Sequence, residues 1–368
     1  MRVGDIAQFI ESWAPPWIAW ERDNVGLQVG NPERVVRKIL VTLDVTEKTI
    51  EEAERRRVQL IVSHHPLLFR APRAIVESDS VGRLVLLLAE KKIALYSAHT
   101  NLDFVKQGVS FALAHSLGLT NVRFLAPLNG LLAKVVVFVP SGHTESVRKA
   151  MVEAGAGVIG EYSDCSYEII GRGSFRGSNR SRPTIGRKEH LEFAEEVRLE
   201  MVAPRARAQS IIAAVKAVHP YEEVACDVYP IENESSNYGA GAVGSLKVPV
   251  ALSTFLSRLK EKLHAQRVRV VGNKDQIVHT VAVCGGSGSE FLPNALRAKA
   301  DVFVTADVRY HTFHEADGQI ALVDAGHWET EHVILPVLQR KLLEAGKLAK
   351  QKLEIFIAQS DTNVVQSY

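Results

Sequence analysis

Short runs of consecutive apolar residues alternate along this chain with longer stretches in which apolar positions recur every three or four residues. The first pattern reads as buried strand and the second as amphipathic helix. Lys38–Val45 is a predicted strand, Thr46 caps a helix running to about Arg57, and Gln59–Val62 is the next strand. A helix over Ser80–Lys92, a strand over Ile93–Ser97 and a helix over Gly108–Leu117 follow. The alternation resumes late, with strand Ile277–Cys284, helix Ser289–Lys299, strands Asp301–Thr305 and Ile320–Val323, helix Glu331–Ala345 and strand Leu353–Ile357. Such β-α-β-α order predicts an α/β fold with a mostly parallel sheet between helical layers, three layers in all.

Between these halves the texture changes. Lys134–Val139 reads as a strand, Glu145–Glu153 as a helix and Tyr167–Gly173 as a strand, followed by a loop rich in Gly, Ser and Arg over Gly171–Arg187. Strand Glu195–Val202, a helix near Ala208–Val218 and strand Glu223–Pro230 complete a β-α-β-β-α-β order, the signature of an α+β ferredoxin-like unit. The expected organisation is therefore a core built from residues 1–129 and 239–368, with residues 130–238 inserted as a separate domain. Gly239, Gly241 and Gly244 are expected to mark a flexible return to the core.

Composition narrows the function. Lys and Arg total 44 against 42 Asp and Glu in 368 residues, so a net charge of +2 offers no basic field for nucleic acid or membrane. Cys165, Cys226 and Cys284 are too few and scattered for a disulfide framework or a thiolate zinc site, and each reads as a small buried hydrophobe in a reducing compartment. No stretch has the length of a membrane span, and the N-terminus opens an amphipathic helix. A soluble cytoplasmic protein is the expectation.

The candidate chemistry sits where predicted strands run out. Gln59–Val62 ends in Ser63-His64-His65-Pro66, Ala94–Ser97 in His99-Thr100-Asn101-Leu102-Asp103, Asp301–Thr305 in Asp307 and His311, and Ile320–Val323 in Asp324 through Glu331. Carboxyl ends of strands in open α/β sheets gather on one edge, where ligands bind, so residues more than two hundred positions apart can meet. In a regular strand His64 and His65 would face opposite ways, but the turn at Pro66 lets both line that edge. His327 and Glu331, four apart at a helix start, project from one face. His115, His143, His190, His264 and His279 stand alone and read as structural. Three imidazoles with the carboxylates of Asp103 and Glu331 suit zinc, iron, manganese or cobalt better than calcium or magnesium. Five protein ligands fit two ions if one carboxylate bridges, which leaves positions open to water or substrate.

Three weaker features remain. Asp307 and His311, the candidate catalytic pair, either orient ligand side chains or relay protons. The glycine-rich turn Cys284–Ser289 is either an anion cradle or a tight structural turn. Arg172, Arg176, Arg180, Arg182 and Arg187 read as a solvated basic loop.

Ser63-His64-His65-Pro66-Leu67-Leu68-Phe69, His99 to Asp103, Thr305 to His311 and Gly326 to Glu331 resemble the signatures of the NGG-interacting-factor-like dinuclear metal-centre family. Many of its members carry the name GTP cyclohydrolase I type 2 homologue. Asp23-Asn24-Val25-Gly26-Leu27-Gln28-Val29-Gly30 and Cys284-Gly285-Gly286-Ser287-Gly288-Ser289 are similar to it as well, so the likeness spans nearly the whole chain. It implies two divalent cations per chain, zinc first with iron or manganese as alternatives, held by His64, His65, Asp103, His327 and Glu331 with Glu331 bridging. It also implies a ring-shaped homohexamer and, over His219 to Pro230, an insert similar to PII and CutA proteins. Two departures are visible: Ala306 stands where the family usually has Gly, and the loop Gly171–Gly186 lacks part of the usual pattern. The implied function is a metal-dependent hydrolase acting on a small molecule, a nucleotide such as GTP included; the alternative from another class is a metal-binding scaffold or sensor displaying the insert. A metallophosphoesterase is disfavoured by the lack of a paired D-x-H and G-N-H set.

Overall fold

The computed structural model describes residues 1–360 and 362–365, and these fall into two compact units, Met1–Pro127 with Asn237 onward, and Leu128–Ser236. The first segment runs α1 (Val3–Trp13), β1 (Gly26–Val29), β2 (Lys38–Thr42), α2 (Glu47–Arg55), β3 (Leu60–Ser63), α3 (Ser80–Glu90), β4 (Ala94–Ser97), α4 (Thr100–Asp103), α5 (Val109–Ser116) and β5 (Thr120–Pro127). The middle unit is β6 (Leu132–Pro140), α6 (Thr144–Glu153), β7 (Tyr167–Arg176), β8 (Leu191–Pro204), α7 (Ala208–Val218) and β9 (Cys226–Ile231). The last segment runs β10 (Gly239–Ala251), α8 (Leu252–Leu263), β11 (Arg269–Val271), β12 (Ile277–Ser287), α9 (Leu292–Arg297), β13 (Val302–Ala306), α10 (Tyr310–Ala316), β14 (Ala321–Asp324), α11 (His327–Glu331), α12 (Leu335–Leu348) and β15 (Glu354–Ile357).

The larger unit holds two sheets rather than one. The first has the order β1-β4-β3-β2-β15, and only the β1 pairing is antiparallel. Its central strands are buried on both faces: Ile39, Val41, Leu60 and Val62 on one side, and Leu40 and Ile61, packed with Ile50, Leu88 and Leu95, on the other. Burial of both faces explains why these strands read as continuous apolar runs. The second sheet, β11-β14-β13-β12-β10-β5, is not mostly parallel, since only β12, β13 and β14 pair that way. β15 returns to the first sheet and β5 joins the second, so the sequence halves exchange strands.

Three expectations are corrected. Gly239, Gly241 and Gly244 lie in β10, inside the second sheet, and mark no flexible return; a Cβ on Gly239 would meet Phe124 Cγ at 2.6 Å, and one on Gly244 would meet Thr120 O at 2.8 Å. The helix expected over Glu331–Ala345 is broken: α11 precedes it, a 3-10 turn spans His332–Ile334, and α12 restarts with Pro336 in its first turn, where a missing N–H costs nothing. Finally, β7 runs past the expected strand end at Gly173 to Arg176, into the stretch expected as loop, and Arg172 lies over the Phe193 ring, 4.2 Å from its centroid.

The middle unit forms one antiparallel sheet of order β7-β8-β6-β9 with its own core, in which Val135, Val137, Leu199 and Met201 pack against Val147, Met151, Ile211 and Val215. All three cysteines are free; Cys284 is buried, whereas Cys165 and Cys226 are only half-buried.

Candidate metal centre

His64 and His65 leave the end of β3 under tight backbone control. Their amides donate to Thr42 O (3.0 Å) and Leu43 O (2.9 Å), so the chain stays pinned beside β2 while the side chains turn off the sheet edge. His64 is fully buried, and its Nδ1 lies 2.8 Å from Ala98 O, an oxygen that can only accept. His65 Nδ1 lies 2.7 Å from Asp44 Oδ1. Both contacts fix a ring proton on Nδ1 and turn Nε2 inward.

β4 ends beside β3 and delivers His99 and Asp103. Asp23 sits 3.0 Å from His99 Nδ1 and accepts from the Thr100 amide (3.1 Å) and hydroxyl (2.5 Å), which fixes the turn. Asp103 Oδ1 comes within 3.7 Å of His64 Nε2. The second sheet supplies the rest: on the single turn of α11 beyond β14, His327 Nε2 is 3.2 Å from Glu331 Oε1, and Asp307 Oδ2, just past β13, is 2.6 Å from His327 Nδ1. Glu331 is buried among three imidazoles, with Oε2 2.8 Å from His65 Nε2 and Oε1 3.7 Å from His64 Nε2.

The electrostatics show what these groups lack. His64 Nε2, His65 Nε2, Asp103 Oδ1 and Glu331 Oε2 are closed to solvent and without a hydrogen bond, although His65 Nε2 and Glu331 Oε2 stand 2.8 Å apart as an ion pair. A single buried orphan of this kind costs roughly 1–3 kcal/mol, a cost that a shared cation would offset. Burial alone would raise Glu331, but His64, His327 and His65 outweigh it and hold the carboxylate well below its usual range. Burial pushes Asp103 up to about 7, against the pull of His64. For His65, burial opposes the charged form, yet Asp44 and Glu331 raise it to about 10; Glu331 chiefly, then Asp307, raises His327 to about 9.

Potential ligand atoms of His64, His65 and His99 lie within 4.8 Å of one another, as do those of His65, His327 and Glu331. All are nitrogen or carboxylate oxygen with no thiolate, a donor set suited to a divalent transition metal. Of the residues predicted as ligands, His64, His65, Asp103, His327 and Glu331 all meet here. His99 and the orienting carboxylates Asp44 and Asp23 are gains from the structure. The signal for His99 and Asp44 was the one that found His64: each closely follows the end of a parallel strand. Asp307 reaches the cluster through His327, whereas His311 is exposed on α10 with its ring against Tyr310.

The glycine-rich turn is no anion cradle. The amides of Gly285, Gly286 and Gly288 already donate to Ser110, Thr330 and Thr305 hydroxyls at 3.3, 2.9 and 2.9 Å. Gly286 adopts φ +62° against the cluster, where a Cβ would fall 2.2 Å from Glu331 Oε1. In front of the centre lies an open cavity of about 490 Å³, walled by Asp44, His65, Asp307, His327, Arg267 and the segment 362–365.

A family model described as Duf34/NIF3 (NGG1p interacting factor 3) matches residues 1–364. The chain is 41% identical over 360 residues to the GTP cyclohydrolase 1 type 2 homolog of Bacillus subtilis (strain 168), covering 97% of this chain and 96% of that protein. It is 38% identical over 360 residues to the protein of the same name from Listeria monocytogenes, with the same two coverages of 97% and 96%. Among solved structures, a Bacillus cereus protein related to NIF3 superposes with a TM-score of 0.83 at 38% identity, covering 100% of this chain and 99% of that one.

Proposed function

The chain belongs to the Duf34/NIF3 family, and from that membership together with the geometry of the pocket we propose that it is a metal-dependent hydrolase of small molecules working at two divalent cations. His64, His65, Asp103, His327 and Glu331 hold the pair in this proposal, with Glu331 shared between the ions and His99 completing the imidazole side. Divalent cations there supply Lewis acidity, acidifying water and polarising a carbonyl, imine or phosphoryl group. The protein's own part is orientation. Asp44, Asp307 and the Ala98 carbonyl fix the ring protons on Nδ1, so the inward nitrogens of His65, His327 and His64 are basic and correctly aimed. Asp307 is thus a positioning residue acting through His327.

The observation that carries this reading is the meeting of four buried donor atoms without hydrogen bonds beside a cavity open to solvent, which His65 and His327 line. A purely structural ion would be closed in on all sides. The same proposal takes Leu128–Ser236 as an inserted ferredoxin-like domain similar to PII and CutA, and the assembled protein as a homohexamer. The test is turnover by protein reconstituted with zinc, iron or manganese, against GTP, other nucleotides, phosphodiesters and cyclic amides, beside His65→Ala. Hydrolysis of a member of this set by the wild type, abolished in a folded variant, is the expected result. Inactivity throughout, or activity that survives the substitution, overturns the hydrolase reading and leaves a binding role for the site.

A further inference from the structure

We infer that Arg267 is the specificity residue of the metal cavity and that the molecule bound there carries an oxyanion, a phosphate or carboxylate, which this guanidinium grips. The inference rests on the metal-site reading above and names its substrate class. Four carboxylates line the cavity, and each has a partner. Asp44 faces His65 Nδ1 at 2.7 Å, and Asp307 faces His327 Nδ1 at 2.6 Å. Asp324 accepts from the Val308 amide at 3.0 Å and is ion-paired with Arg269. Glu329 accepts from the Asn363 amide group at 3.2 Å. Arg269 is engaged a second time, donating to Val308 O at 2.9 Å.

Arg267, on the same wall, is exposed and makes no hydrogen bond or ion pair among the described residues. Of the two arginines that line the cavity, Arg269 is engaged and Arg267, among the described residues, is left to recognise something from outside. Divalent cations behind His65 and His327 would place a second positive group beside the cavity that Arg267 lines. An anion reaching from Arg267 toward the centre would meet a positive group at each end, and the planar guanidinium offers the paired donors that phosphate and carboxylate accept. A cavity of about 490 Å³ is of the size that holds a small molecule.

The test is calorimetric titration of inorganic pyrophosphate into the zinc-reconstituted protein, with zinc content measured on every sample. Arg267→Ala is expected to weaken binding about tenfold or more while zinc content stays at the wild-type level. Arg267→Lys, which keeps the charge and loses the fork, falls between. Repeating the titration with malonate assigns the site to phosphate or carboxylate by which probe shows the larger loss. Wild-type-like binding of both probes in Arg267→Ala, no binding of either by the wild type, or loss of zinc in the variant overturns the inference. Failure of the hydrolase reading is seen elsewhere: Arg267-dependent binding without turnover of any substrate leaves this inference standing and removes only the catalysis.

Discussion

Three imidazoles converge on Glu331, and the backbone at Gly286 is shaped to leave room for it. The left-handed φ of +62° at Gly286 costs a residue with a Cβ about 1–2 kcal/mol, and that Cβ would overlap the carboxylate. Gly286→Ala is therefore expected to lower stability by about that amount and to cut metal occupancy, read by thermal denaturation and elemental analysis of the same sample. Full occupancy would mean the carboxylate moves freely and the turn does not shape the centre. At this scale the sequence was most informative about the groups that gather at the sheet edges, since His64-His65 before a proline and His327 with Glu331 one helical turn apart are patterns of side chain and spacing. It was silent on what aims them. Asp44 and Asp23 lie 21 and 76 positions from the histidines they hold, and only the folded sheet edge brings them there. The glycine turn was left open between two readings for a related reason: its amides look free in sequence but donate to Ser110, 175 positions away from Gly285, and to Thr330 and Thr305.

Elements of regular burial were legible and those shaped by neighbours were not. β4 ends where its apolar run ends, and Thr46 caps α2 by accepting from the Thr49 amide at 3.2 Å, as its position before the helix predicts. β10 was missed because its glycines exist to admit β5, a contact invisible along the chain. α2 also carries a long-range tie that no periodicity reveals. Glu52 is almost wholly buried and accepts from the amides of Gln359 (2.9 Å) and Ser360 (3.1 Å), while Arg56 Nε lies 2.9 Å from its other oxygen. Burial works against the charged form, but these donors outweigh it and hold Glu52 below its ordinary 4.5. A lowered folded-state pKa contributes stability that is complete above 4.5 and fades as pH falls through the lower folded value. Glu52→Gln should then cost about 1 kcal/mol at pH 7 and progressively less below pH 4.5, by denaturant titration across pH. An equal cost at pH 7 and pH 3 would show that shape, not charge, makes the tie.

At the scale of the whole molecule, each unit has a hydrophobic core of its own, and the middle unit's core draws only on residues between Leu128 and Ser236. Among the described residues no helix is long and apolar enough to cross a membrane. Loop-closure entropy changes slowly with length, so replacing 128–236 by a short Gly/Ser linker should leave a cooperatively unfolding, metal-binding remainder. An insoluble product, or one that no longer binds metal, would show that the middle unit completes the larger one. The claim on which the functional account depends is the paired cation site, and counting metal tests it most directly. Elemental analysis of protein expressed in metal-replete medium should find about two divalent ions per chain, falling toward none in Glu331→Gln, while Asp103→Asn loses mainly one. One ion or none in the wild type, or two retained without Glu331, would contradict it.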